Sequence, residues 1–298
     1  MNPESLSPSK PLSTRGAASS SFVGKGFHTG RANRMRLLPG DRGRGAVRIG
    51  QVERLVWGGA AAEMETDLRC TRVHGIGPLE HLSAAAGVLG VRGWILEAEH
   101  PDLPLFDGSA LPWVEGFAGF PREAPPGIAF DLPGGSWEGE DRGTLEVEPG
   151  DGFHLDVGWS RGPFGEERWQ GGLGDLPGIL AARTFVDAAD WWEARRNGLL
   201  GGVDSDSGRL FRGLRPVPAE AMAELRRNGL RTDGLVWSGA GERMPRECAA
   251  HKALDLVGDI ACAIGYLPAL RITAQDAGHS LHAELCRALR AAHGTKEE

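Results

Sequence analysis

One stretch of the chain gathers side chains whose types and spacing suit acid–base or metal chemistry. Glu247–Ile264 reads as a single helix. At about 100° per residue, His251, Asp255 and Asp259 fall within about 80° of one another, with Lys252 at the edge of the same arc. The arc is narrow and holds no Gln, Ser or Asn. Periodicity leaves two readings open: a solvated polar face of an amphipathic helix, or an i, i+4 pair in which His251 and Asp255 chelate one metal ion. A second place is Pro78-Leu-Glu-His-Leu82. There Glu80 is either a negative charge near a helix start beside a surface imidazole, or a base placed next to a metal-ligating histidine. The third, Ala277-Gly-His-Ser280, puts His279 at a loop edge, where a turn histidine is the plain reading. The glycine-rich Gly24-Lys-Gly-Phe-His-Thr-Gly30 lacks the GxxxxGK[ST] spacing and opens no evident helix, so it is not a phosphate loop. Nothing in the sequence activates Cys70, which Thr71 follows.

These groups need elements to hold them. Strand-like pieces separated by glycines occupy residues 22–30, 35–38 and 46–49, followed by a helix over 78–88 with Pro78 in its first turn and a strand over 94–99. Pro and Gly concentrate at 119–127, which marks a domain boundary. Beyond it, 144–147 and His154–Trp159 alternate as strands, and 187–196 and Ala219–Arg227 read as helices closed by Asn-Gly. The helix Glu247–Ile264 and an alternating strand at 269–274 complete the second half. Strands before helices in each half favour an α+β class over an alternating parallel sheet.

Composition narrows the function classes. With 298 residues the chain has room for about two domains. A hydrophobic fraction of 41% with 24% charged residues excludes a mostly disordered chain. The net charge of −7 argues against a non-specific nucleic-acid binder, which needs surplus Lys and Arg. No run of about 20 apolar residues occurs, so no transmembrane segment is expected. Four scattered cysteines without a CxxC pair read as reduced thiols of a cytoplasmic protein. The Ser- and Pro-rich residues 1–20 read as a mobile tail, not a signal peptide. The expected organisation is therefore a tail at 1–20, a first domain at 21–122 and a second at 123–292.

Taken in order, these pieces resemble the zinc-dependent UDP-3-O-acyl-N-acetylglucosamine deacetylases of lipid A biosynthesis. The resemblance rests on Gly24–Gly30, Cys70-Thr71, Leu79-Glu-His-Leu82, Leu103-Pro-Leu-Phe-Asp-Gly-Ser-Ala110 and Ala182-Arg-Thr-Phe185. It continues through the glycine-rich stretch from Gly198 to Asp206, His251-Lys-Ala-Leu-Asp-Leu-Val-Gly-Asp259 and Gly278-His279. It implies two similar α+β domains, each a sheet layered against helices, with the active site at their interface. It further implies a Zn²⁺ cofactor held by His81, His251 and Asp255, with Glu80 as general base, His279 as general acid and Asp259 as its charged partner. Lys252 and Thr184 take the positions that stabilise the oxyanion, while Phe185 and Asp206 contact the substrate. The family's acyl passage maps to an insert of the second domain, expected within residues 159–180. The implied ligand is a UDP-linked, acylated amino sugar, with no nucleic-acid partner. Its acyl chain brings the enzyme, expected as a monomer, close to a membrane surface.

Four places depart from the family pattern. Arg92-Gly93 stands for Asp-Asn, Ser160-Arg-Gly-Pro163 for a His-Pro segment, Ser205-Asp206-Ser207 for Leu-Asp-Asn, and Ala250 for Arg. Two other functions therefore stay in view: the same zinc chemistry on another N-acyl amino sugar, or an inactive sugar-nucleotide-binding module.

Overall fold

Alternation of apolar and polar residues builds the first sheet. β1 (Ser20–Lys25) pairs with β2 (Ala32–Pro39), whose Asn33, Met35 and Leu37 point inward while Arg34 and Arg36 face solvent. β3 (Arg44–Ile49) and β4 (Val52–Trp57) follow, then the short hairpin β5 (Met64–Glu65) and β6 (Arg72–Val73). Helix α1 (Glu80–Leu89) leads into β7 (Gly93–Ala98), which buries Trp94, Leu96 and Ala98, and α2 (Leu111–Gly116) closes the half. The strand order is β1-β2-β7-β3-β4, with only β3 and β7 parallel. This computed structural model describes residues 19–58, 64–66, 69–123, 134–140, 142–213, 215–227, 229–230, 232, 235–237 and 241–294.

The second half runs β8 (Gly135–Glu138), β9 (Thr144–Pro149), β10 (His154–Trp159), β11 (Glu167–Gly172) and α3 (Leu176–Ile179). Next come β12 (Phe185–Asp187), α4 (Ala188–Arg196), β13 (Arg209–Phe211) and α5 (Ala219–Arg227), then α6 (Glu247–Ile264), β14 (Leu270–Gln275) and α7 (His279–Gly294). Its sheet has the order β8-β9-β14-β10-β11, and only β10 and β14 run parallel. The two halves thus share one strand order within an α+β fold, and α1 and α6 hold the same place in it, each leading into a central strand. One apolar core joins both sheets and these helices, through residues such as Leu37, Leu96, Leu82, Leu254 and Leu155.

Helix α6 is buried on every side apart from partly exposed Lys252, because α1, α7, β10 and β11 all pack on it. Small residues let α1 and α6 approach closely. A Cβ added at Gly258 would lie 2.0 Å from the Glu80 carbonyl oxygen and 2.7 Å from its carbonyl carbon, both backbone atoms that cannot swing aside. Gly258→Ala gains about 1 kcal/mol in helix propensity, but overpacking costs about 1–3 kcal/mol and pushes the first turn of α1 away. A lower melting temperature together with reduced turnover is the expected result; an unchanged melt would show that the contact has slack.

Several expectations shift. Residues 1–18 and 124–127 lie outside the described residues, but Ser20 belongs to β1 rather than to a tail, and its Oγ donates to the Gly116 carbonyl at 2.8 Å. The strand expected over 22–30 ends at Lys25. Residues 26–30 form a turn held by Asp102, whose carboxylate accepts from the Thr29 amide at 2.8 Å and the Thr29 hydroxyl at 2.7 Å. Helix α1 starts at Glu80, not in the turn containing Pro78, and the Leu79 amide before it donates to the Thr71 carbonyl at 2.9 Å. Residues 159–180 are not a separate insert: β11 pairs with β10 in the main sheet. Besides the β5–β6 hairpin, a second unit stands outside the two five-stranded sheets: β12–α4–β13, a parallel pair with its own apolar cluster of Ala188, Trp191, Leu210, Leu225 and Trp237. Finally, His279 is not at a loop edge but opens α7, a 16-residue helix.

Candidate active site

Three helices aim their chemistry at one point. The first turn of α1 supplies Glu80 and His81, the buried middle of α6 supplies His251, Asp255 and Asp259, and the start of α7 supplies His279. The solvated-face reading of α6 is therefore excluded: His251 is 3% exposed, Asp255 2% and Asp259 fully buried. One ligand atom from each of His81, His251 and Asp255 lies within 4.8 Å of the other two. Asp255 Oδ1 stands 3.2 Å from His251 Nε2 and 3.7 Å from His81 Nε2, and the two imidazoles meet edge to face.

The protonation states explain what this trio fits. His251 Nδ1 lies 3.4 Å from the Ala182 carbonyl, a contact that assigns the hydrogen to Nδ1 and leaves Nε2 with its lone pair. Burial pushes the His251 pKa down to about 3, against the pull of the Asp255 charge, so the ring is neutral. Burial raises the Asp255 carboxyl, yet the Lys252 ammonium, the hydrogen bond to His81 and the His279 charge outweigh it and hold it ionised well below the usual carboxylate range. Two lone-pair atoms 3.2 Å apart repel unless a cation lies between them. Two imidazole nitrogens and a carboxylate oxygen, buried together, are a donor set that suits a divalent metal ion.

Around the trio stand groups able to move protons. Glu80 Oε2 accepts from the Thr71 amide at 2.9 Å. Burial raises the Glu80 carboxyl, partly opposed by the His279 charge. His279 Nδ1 lies 2.8 Å from Asp259 Oδ2, and its Nε2 is 3.9 Å from Asp255 Oδ2. Burial lowers the His279 pKa, but the Asp259 charge and hydrogen bond, with Asp255 and Glu80 beyond, overcome it and raise the value to about 9. Burial raises Asp259 in turn, and the His279 charge together with hydrogen bonds from His279 and His282 brings it down to about 2. Lys252 Nζ donates to Asp255 Oδ2 at 3.1 Å and sits 5.2 Å from the Trp159 ring and 5.6 Å from the Phe185 ring. Burial pushes the Cys70 thiol far up, although its Sγ lies 3.7 Å from His28 Nε2.

Phe185 packs edge-on to His251, with ring centroids 5.9 Å apart, and together with Thr184 it lines an adjoining cavity of about 210 Å³. Val186, Ala194, Leu199 and Leu200 give that cavity apolar walls from the β12–α4–β13 unit. Asp206 is not brought to the cluster: it is exposed on the loop before β13, its amide donates to Asp204 Oδ1, and it does not line the cavity. Three polar neighbours escaped the sequence reading. Thr71 Oγ1 donates to Asp259 Oδ1 at 2.5 Å, His282 Nδ1 lies 2.8 Å from Asp259 Oδ2, and Trp159 flanks Lys252. Of these only His282 had a local signal, as it lies three residues after His279.

Two of the departures have structural explanations. Arg92 Nη1 donates to the Gly265 carbonyl at 2.5 Å, so this cation caps the C-terminal end of α6, beyond the end of the helix and away from the cluster in its middle. The Ser160 amide and hydroxyl both donate to the Asp276 carboxylate at 2.6 Å, tying the end of β10 to the loop before His279.

The family profile described as UDP-3-O-acyl N-acetylglycosamine deacetylase matches residues 17–217 and 228–291. A UDP-3-O-acyl-N-acetylglucosamine deacetylase of Nostoc sp. is 26% identical over 283 residues, covering 89% of this chain and 93% of the relative. Proteins of the same name from Phenylobacterium zucineum and Pseudoalteromonas translucida are 29% identical over 289 residues and 30% identical over 229 residues. They cover 91% and 73% of this chain, and 90% and 68% of their own lengths. Because the profile match runs through both sheets and through the parts of α1, α6 and α7 that carry the cluster, the chain belongs to the UDP-3-O-acyl N-acetylglycosamine deacetylase family.

Proposed function

We propose that this chain is a zinc-dependent amidohydrolase that removes the N-acetyl group from UDP-3-O-acyl-N-acetylglucosamine, releasing acetate, in lipid A biosynthesis. The observation that carries the reading is the convergence of His81, His251 and Asp255 within 4.8 Å, with Glu80 and the His279–Asp259 pair beside them. His81, His251 and Asp255 would hold the zinc ion, and the chemistry it supplies when bound is Lewis acidity, which polarises a carbonyl and acidifies water.

The protein's own groups do the rest. Glu80 accepts a proton from the attacking water. His279, kept as an imidazolium by Asp259, protonates the departing nitrogen, because an amide anion is far too basic to leave. The Lys252 ammonium and the Thr184 hydroxyl are assigned to the oxygen on which negative charge develops. Phe185 bounds the sugar and acyl group, and the cavity beneath β12–α4–β13 takes the acyl chain. The proposed working unit is a monomer. Four free, buried cysteines support a reducing compartment, the cytoplasm. No described helix is long and apolar enough to cross a membrane, so any membrane proximity comes through the acylated substrate.

The purified protein should release acetate from this substrate, carry about one zinc per chain, and lose turnover on chelation until zinc is restored. Turnover confined to simpler N-acetyl sugars would overturn the substrate assignment, and undiminished turnover after chelation would overturn the metal. The pH profile is a further check. Glu80 must be ionised and His279 protonated, so kcat/KM should be bell-shaped. Its acid limb follows the raised carboxyl, and its alkaline limb lies at or below about 9, since a bound cation lowers both values. Asp259→Asn removes the charge that raises His279, so the alkaline limb should move to lower pH; a limb that stays put would assign the proton donor elsewhere.

A further inference from the structure

Three donors converge on the carboxylate of Asp259, and the chemistry above uses only one of them. Thr71 Oγ1 reaches Oδ1 at 2.5 Å, while the Nδ1 atoms of both His279 and His282 stand 2.8 Å from Oδ2. Asp259 is fully buried and His282 is 1% exposed, so water does not compete for these contacts. The two histidines are three residues apart on α7, which puts both rings on the helix face that packs against α6. An ionised carboxylate only accepts, so His282 Nδ1 carries the hydrogen and donates it. Burial lowers the His282 pKa, which keeps this ring neutral and adds no second positive charge beside His279. A carboxyl group turns easily about its last torsion unless both oxygens are held. Here both are.

We propose that His282 is a positioning residue for the deacetylation, clamping the Asp259 carboxylate together with Thr71 so that Oδ2 holds His279 Nδ1 and the opposite ring nitrogen points into the metal-binding cluster. The clamp accounts for a buried histidine on α7 that no catalytic step requires. Only its kinetic consequence rests on the deacetylase reading.

The test uses the full-length enzyme as purified. Imidazole ¹H–¹⁵N NMR should show two separate, downfield Nδ1–H resonances, one from each histidine. His282→Asn, whose side-chain amide can donate from about the same place, should lose only the His282 resonance and stay within about threefold of wild-type kcat, whereas His282→Ala and His282→Leu should lose about tenfold to hundredfold. In all three, KM and zinc content should remain unchanged. A His282 ring protonated at Nε2 alone, or His282→Ala turning over at the wild-type rate, overturns the clamp. So does loss of a second metal equivalent in His282→Asn, because Asp259, His279 and His282 would then be a metal site. If the alanine variant fails to fold, the wild-type and asparagine spectra decide. If wild-type protein does not turn over the UDP-sugar, the deacetylase reading fails while the spectra still decide whether the clamp exists.

Discussion

Glu80→Gln should leave the protein folded and metal-loaded yet slow its turnover by about 10²–10⁴-fold, the usual worth of a positioned general base. The side chain is 4% exposed at the start of α1, where its Oε2 accepts the Thr71 amide at 2.9 Å. Glutamine has the same shape and its carbonyl oxygen can keep that hydrogen bond, so the first turn of α1 and the neighbouring His81 stay in place. What it cannot do is take up a proton. The loss should therefore appear in kcat and in kcat/KM alike, the signature of an interaction made only in the transition state. Steady-state kinetics, elemental analysis and circular dichroism on one preparation are sufficient. Wild-type turnover would remove Glu80 from the role of base, and loss of zinc would make it part of the metal site instead.

Glu247→Ala should cost about 3–5 kcal/mol of stability, because it removes a buried carboxylate that two buried arginines share. Glu247 is fully buried at the start of α6, with Arg183 at 4% exposure and Arg209 at 3% around it. Its Oε1 accepts from Arg183 Nε at 2.8 Å, its Oε2 accepts from Arg183 Nη2 at 3.0 Å and from the Arg243 amide at 3.1 Å, and Arg209 Nη1 is 3.5 Å away. Burial raises the Glu247 carboxyl, but the Arg183 hydrogen bonds and charge and the Arg243 amide outweigh it. The effect should reach the site as well, since Arg183 precedes Thr184 and the Arg209 amide donates to the Thr184 carbonyl at 2.8 Å. Urea unfolding is the measurement; an unchanged midpoint would mean that water reaches these arginines.

Local patterns carried much of the architecture. The helix expected at Glu247–Ile264 and the strand at His154–Trp159 have those bounds in the structure, and α5 covers Ala219–Arg227 as its periodicity indicates. Asp187, expected inside a helix, is the N-cap of α4 and accepts from the Ala189 amide. Helix α7 has a legible apolar period, with Leu281, Leu285 and Leu289 every four residues, but Gly278 just before His279 reads as a turn and masks its start. Strand order was beyond reach, since which strands become neighbours depends on long-range closure that no local window records. The same limit applies to the site. His251 and Asp255 share a helix and were visible as a pair, whereas the approach of His81 depends on the packing of α1 against α6. Thr71 could not be seen as a partner of Asp259, because 188 positions separate them.

The common strand order of the two halves makes them structural twins, yet the twins no longer bring the same dowry. One gives a glutamate and a histidine from the threshold of its helix; the other gives a histidine and an aspartate from the waist of its own. Catalysis is therefore a property of their clasp, inherited by neither sibling, and a lesion that loosens the seam can silence the enzyme while leaving each twin's own sheet intact.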